Sequence, residues 1–216
     1  TLDAPNQPAK IMAGDFFDFW FIDDDRLAMV IGDVSGKGVP AAMFMAVSRT
    51  VLRNCSTPGQ SPAQVLNSAN RVLCSQNDEG MFVTVFYAHY HVRSGELTFT
   101  NAGHNPPYLV RADRRIELLG PPDGPIVGID ADAEYGQRRL VLEPDDLLLL
   151  YTDGVTEAAD RQGAMLGEEG LRNILAEMRD LSVEEVCRTV LSRVDSFRDS
   201  PDQDDVTLLA LRRVPS

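Results

Sequence analysis

Four acidic motifs constrain this 216-residue chain more than any other feature, because each stands where a strand should end or turn. They are Gly14-Asp15 with Asp18, Gly32-Asp33-Val34-Ser35-Gly36-Lys37-Gly38, Thr152-Asp153-Gly154, and Asp204-Asp205-Val206-Thr207. An aspartate after an apolar strand, with glycine beside it, lets the backbone come close to a ligand. The motifs are spread over most of the sequence, so only folding can unite them. Once united, the carboxylates would raise one another's pKa unless a cation neutralised them. Oxygen donors with no Cys or His nearby suit Mg2+ or Mn2+ rather than zinc or copper, and no EF-hand loop spacing occurs. A hard divalent metal site is therefore the first expectation.

Hydrophobic periodicity supplies the frame around these motifs. A strand around Ile11–Ile22, a turn at Asp23-Asp24-Asp25 and a second strand from Leu27 to Asp33 read as a hairpin, with Asp15 and Asp33 roughly opposite at its open end. A helix is predicted from about Ala41 to Asn54, with Phe44, Val47, Val51 and Leu52 as its apolar stripe. Ser61-Pro62 opens another helix, running to about Ser75. Phe82–Val92 and Glu96–Thr100 flank Arg93-Ser94-Gly95 as a second hairpin. Short strands follow at Tyr108–Val110, Ile116–Leu118, Arg138–Leu142 and Leu147–Thr152. Helices are predicted at Glu168–Met178 and Val183–Phe197, the second entered through a capping box of Ser182 and Glu185, before a last strand, Val206–Arg212. Hairpins interrupted by helix pairs point to an α+β fold, and no repeat or composition break divides residues 1–216 into more than one domain.

Composition closes off several function classes. A net charge of −13 argues against a nucleic-acid partner, since phosphate backbones are bound by basic patches. The longest apolar run, Leu147–Tyr151, is far short of the roughly 20 residues that span a bilayer, so membrane insertion by this domain is not expected. Three cysteines, Cys55, Cys74 and Cys187, form no CxxC pair and leave one unpaired under any pairing, which reads as a reducing, cytoplasmic setting.

Two familiar catalytic readings fail on spacing. Gly32 to Gly36 encloses three residues where a P-loop needs four, and Gly38 stands where that loop has its Ser or Thr. Ser35 lacks a glycine two residues before and two after, so it is no nucleophile elbow. Of the three histidines, His89 and His91 alternate with Tyr90 in a strand and read as structural, while His104 lies in the polar loop Asn101-Ala102-Gly103-His104-Asn105-Pro106-Pro107.

The four acidic motifs, with Pro40-Ala41-Ala42, Ala102-Gly103-His104 and Tyr151-Thr152-Asp153-Gly154-Val155-Thr156-Glu157, stand in an order that resembles the SpoIIE/RsbU-type serine phosphatases. These are a bacterial branch of the PP2C-like (PPM) metal-dependent phosphatases, and the resemblance runs from about Lys10 to Arg212. It implies a PP2C-like α-β-β-α sandwich of two antiparallel sheets flanked by helix pairs, and two Mn2+ or Mg2+ ions. Carried over by position, Asp33 would bridge both metals with the Val34 carbonyl as a further ligand. Asp15, Asp153, Asp204 and Asp205 are the remaining candidates, and which of the last two ligates stays open. Asp33 and Asp153 would act through a metal-activated water; Asp18, Ser35, Lys37 and His104 would support the ligands or position substrate. Ser35 stands near the place where eukaryotic-type enzymes have a histidine, and Lys10 is the nearest basic residue to their phosphate-binding arginine.

The resemblance further implies a phosphoserine/phosphothreonine phosphatase acting on a regulatory protein, usually a phosphorylated STAS-like anti-sigma-factor antagonist. The domain would be the C-terminal part of a longer protein with an upstream sensor domain, and a homodimer is compatible with it. The alternative is a signalling or binding module of the same fold with little or no catalysis.

Overall fold

The computed structural model describes residues 1–3, 6–7, 14–75, 77, 79–178, 181–200 and 204–214; the expectations placed on Lys10 and on the strand residues 11–13 lie outside these. In chain order the elements begin with two short strands, β1 (Leu2–Asp3) and β2 (Asn6–Gln7), followed by β3 (Phe16–Phe21) and β4 (Arg26–Val34). Helices α1 (Val39–Cys55) and α2 (Pro62–Ser75) come next, then β5 (Val83–His91), β6 (Glu96–Ala102), β7 (Tyr108–Val110), β8 (Ile116–Leu118) and β9 (Arg138–Val141). The chain continues through β10 (Leu147–Tyr151), α3 (Asp153–Thr156), α4 (Gly167–Glu177), α5 (Val183–Phe197) and β11 (Val206–Arg212).

Internal contacts divide the chain into two compact units. One comprises Met12–His104 and Gly120–Leu142 and carries an antiparallel sheet in the order β3-β4-β5-β6-β9. Its core sets Ala28, Val30, Val85 and Tyr87 against Leu52 of α1 and Leu66 and Leu73 of α2. Both strands are buried almost throughout, and the period-two geometry of a strand sends alternate residues of each to the side that these helices cover. The other unit comprises Thr1–Ile11, Asn105–Leu119 and Glu143–Ser216, with strands ordered β1-β11-β10-β7-β8 and β2 also paired to β11. There Leu149, Tyr151, Leu208 and Ala210 pack with Leu171 and Leu175 of α4 and Val186, Val190 and Val194 of α5.

The α+β class and most element positions agree with the sequence reading. The capping box forms: Glu185 N–H donates to Ser182 Oγ, and Ser182 N–H to the Glu185 carboxylate. The predicted stripe on α1 packs on the core through Phe44, Val51 and Leu52, while Val47 departs from it at 40% exposed. Ala41 and Ser48 are buried as well, and Met43, outside the stripe, is exposed. Strands β1 and β2 and the single turn α3 were not anticipated, being too short for periodicity to register. Among the described residues no helix is long and apolar enough to cross a membrane.

Candidate functional site

In the unit built on β3 to β6 and β9, register does the positioning. Phe16 pairs with Gly32, and the same register continued by one residue sets Asp15 opposite Asp33; Asp33 in turn pairs with Thr84 of β5. Gly32 permits this close spacing. A Cβ there would stand 2.8 Å from the Phe16 ring and 2.8 Å from the Thr84 carbonyl oxygen, so no other residue fits unshifted. Gly14 is equally close: a Cβ on it would lie 3.1 Å from the Val34 carbonyl oxygen and 3.6 Å from Asp33 Oδ1. The chain thus passes directly against the carboxylate of Asp33 and the carbonyl of Val34. Asp15 is buried and Asp33 half-buried.

The loop after Asp33 is closed by Ser35, whose N–H donates to the Phe82 carbonyl (2.9 Å) and whose hydroxyl accepts from Phe82 N–H (3.0 Å). Lys37 is exposed between Gly36 and Gly38, both at positive φ, a backbone conformation that glycine adopts at no steric cost. His104 is buried and its loop is pinned. Asn101 donates through Nδ2 to the His104 carbonyl (2.9 Å) and accepts the His104 N–H at Oδ1 (2.8 Å). Gly103, at φ +72°, packs so tightly that a Cβ would meet Ile126 Cγ2 at 2.7 Å.

Asp18 lies elsewhere. Its Oδ2 accepts from Arg49 Nε (3.0 Å) and Arg53 Nη1 (3.1 Å) of α1, and its Oδ1 from the Phe19 N–H (2.8 Å). Arg53 also stacks over Trp20, 5.1 Å from the ring centre. These contacts make Asp18 the tie between β3 and the helix that follows the Asp33 loop. His89 is structural, as its strand position suggested. Its Nε2 meets the Tyr87 hydroxyl (2.9 Å), which meets Ser56 Oγ (2.5 Å), and burial lowers its pKa to about 4.

In the second unit, β10 and β11 pair so that Tyr151 faces Leu208. Thr152 N–H then donates to the Thr207 carbonyl (3.1 Å), and Thr207 N–H to Thr152 Oγ1 (3.0 Å). Asp153 is the first residue of α3. Gly154 is pressed onto the second acidic motif: a Cβ would fall 1.9 Å from the Asp205 carbonyl oxygen. This unit therefore sets the backbone of the turn that carries Asp153 and Gly154 directly against that of Asp205. Asp205 N–H donates to Asp204 Oδ1 (2.9 Å).

Among the described residues no three His, Cys, Asp or Glu side chains form a metal-holding group, so each unit offers its acids in smaller sets. What each set offers is oxygen alone, the donor chemistry of a hard divalent ion. The sequence reading did not single out Thr84, a β-branched residue in a strand, and it quoted Asn101 only as part of the polar loop that Asn101 pins.

The family model described as "Stage II sporulation protein E (SpoIIE)" matches residues 23–214. Phosphoserine phosphatase RsbU of Bacillus subtilis is 34% identical over 213 residues, covering 98% of this chain and 63% of RsbU, so the chain spans less than two thirds of that relative. Among solved structures, the RsbU and RsbW domains of Rv1364c from Mycobacterium tuberculosis match with a TM-score of 0.82 and 30% identity, over 100% of this chain and 60% of that one. The SiaA-PP2C domain of Pseudomonas aeruginosa matches with a TM-score of 0.87 at 19% identity, over 98% and 85% of the two chains, a likeness of fold. The motif order, the α+β fold of two antiparallel sheets with their helices, and the family match agree: this chain belongs to the SpoIIE family of PP2C-like domains.

Proposed function

We propose that the two units act as one metal-dependent phosphatase domain that hydrolyses phosphoserine or phosphothreonine on a regulatory protein. The observation that carries this reading is the close pass of Gly14, next to Asp15, against the Asp33 carboxylate and the Val34 carbonyl, in a chain 34% identical to a phosphoserine phosphatase. Asp15, Asp33, the Val34 carbonyl, Asp153 and one or both of Asp204 and Asp205 are the proposed ligands for two Mn2+ or Mg2+ ions. Such ions, when bound, supply Lewis acidity toward phosphoryl oxygens. Lys37, exposed on its glycine-flanked loop, offers a positive charge to the phosphate dianion, and His104 and Ser35 hold the loops around Asp33. Ser35 Oγ accepts the Phe82 N–H in closing its loop, a structural use that favours hydrolysis without a phosphoserine enzyme intermediate.

A phosphorylated STAS-like anti-sigma-factor antagonist is the proposed substrate, in the cytoplasm, and an upstream sensor the proposed regulator. The exposed Val39, Met43 and Val47 of α1, beside a cavity of about 420 Å³ lined by Phe44, Leu73 and Met81, favour α1 as the surface that receives such a signal. Manganese-stimulated turnover of p-nitrophenyl phosphate, lost in Asp33→Ala, is the expected result. Absent turnover, or equal turnover in the variant, would refute the phosphatase reading. Calorimetric titration with Mn2+ separates it from a non-catalytic module, which tolerates a site that takes up no metal.

A further inference from the structure

We propose that Thr84 is a positioning residue for Asp33, set in place by His104; this rests on the metal-dependent reading above. The register pairs Asp33 of β4 with Thr84 of β5, and side chains of directly paired residues share a sheet face. Thr84 Oγ1 lies 3.5 Å from the Asp33 carbonyl oxygen and 2.9 Å from His104 Nδ1. Asn101, itself fully buried, holds both the N–H and the carbonyl of His104, so the imidazole has little freedom to leave that contact.

A hydroxyl has one proton to give and can accept from a neighbour as well. With the Nδ1–H tautomer, His104 donates to Thr84 Oγ1, which leaves the Thr84 proton to turn toward Asp33. The opposite tautomer would draw that proton to the imidazole and leave Asp33 without a donor from this residue. The geometry thus makes a chain in which Asn101 fixes His104, His104 orients Thr84, and Thr84 steadies the strand end that carries Asp33. Partners of this kind, one step behind a ligand, typically govern metal affinity by about 10- to 100-fold. Valine at this position would keep the branched shape and the strand preference while removing the hydroxyl; serine would keep the hydroxyl and lose the methyl.

Two measurements test the assignment. In metal-free wild-type protein with 15N-labelled histidine, long-range proton–nitrogen correlation is expected to show His104 protonated on Nδ1. A proton on Nε2 alone would overturn the proposed direction of the chain. Calorimetric Mn2+ titration is expected to show Thr84→Val binding about 10- to 100-fold more weakly than wild type, with Thr84→Ser restored to within about threefold. Melting temperatures of both variants, read alongside, show that the comparison is between folded proteins. Equal affinity in wild type and Thr84→Val, or equal loss in Val and Ser, would overturn a positioning role for the hydroxyl. A wild type that binds no Mn2+ at all would overturn the metal reading together with this one, and is distinguishable from either of those results.

Discussion

Replacing Gly154 with alanine puts the proposed use of the second unit's acids under direct test. The added Cβ would sit 1.9 Å from the Asp205 carbonyl oxygen and 2.9 Å from its carbonyl carbon, with Val206 Cγ2 at 3.4 Å. Real Cβ contacts stay above about 3.0 Å, so the Asp204-Asp205 segment must retreat by about 1 Å. The obstacle is backbone, which cannot swing aside as a side chain can. Gly154 is not among the glycines at positive φ, so the cost is steric rather than conformational. Overpacking of this kind costs about 1–3 kcal/mol. The retreat also pulls on the reciprocal bonds between Thr152 and Thr207, each worth about 0.5–1.5 kcal/mol. Together these give a loss of about 2–6 kcal/mol, or a melting temperature lower by roughly 4–24 °C for a chain of this size. Function should suffer beyond stability, because a misplacement near 1 Å can reduce turnover by about 100-fold. The assay is thermal unfolding followed by Mn2+-dependent phosphatase turnover well below the melting point. A variant that melts within about 2 °C of wild type and keeps its turnover would refute both the tight approach and its functional use.

Other outcomes separate acids that serve chemistry from acids that serve the fold. Asp33→Asn should leave the melting temperature near that of wild type but reduce Mn2+-stimulated turnover at least about 100-fold; retained turnover would remove Asp33 from the site. Asp146 is the contrasting case: it is buried and accepts from Arg111 Nη1 (2.9 Å), Ala112 N–H (2.9 Å) and Glu143 N–H (2.8 Å). Asp146→Ala should therefore cost about 3–5 kcal/mol in urea unfolding without changing Mn2+ affinity, and a neutral effect on unfolding would refute the assignment. For His89, burial is the main cause of the pKa near 4, with Arg26 adding to it and Asp23 opposing. The unfolded chain binds this proton below about pH 6.5 and the folded chain does not, so stability is full above that pH and falls as pH drops toward 4. The difference integrates to about 3 kcal/mol, and His89→Gln should flatten the dependence of melting temperature on pH between 7 and 4.5. An unchanged slope would show that another group carries it.

The strand ends were legible because their signals are local: an apolar run, an acid, a glycine. Hairpin geometry then sets β3 against β4, and their pairs run from Phe16 with Gly32 to Phe21 with Leu27. The same locality explains what was missed. Asp18 reads like its neighbours Asp15 and Asp33, yet its partners Arg49 and Arg53 lie 31 and 35 residues further along, on α1. Periodicity named the stripe through which α1 packs, Phe44, Val51 and Leu52, but could not say that Val47 would face outward or that Ser48 would be buried. Thr84 carries no local mark at all: in Val83-Thr84-Val85 it is merely a β-branched residue suited to a strand. Its significance comes from standing beside Asp33 on one side and His104 on the other, contacts of sequence separation 51 and 20. The residues that touch a ligand announce themselves through local chemistry, whereas the residues that hold them in place are chosen for shape and reach, and those become visible only when the strands are aligned.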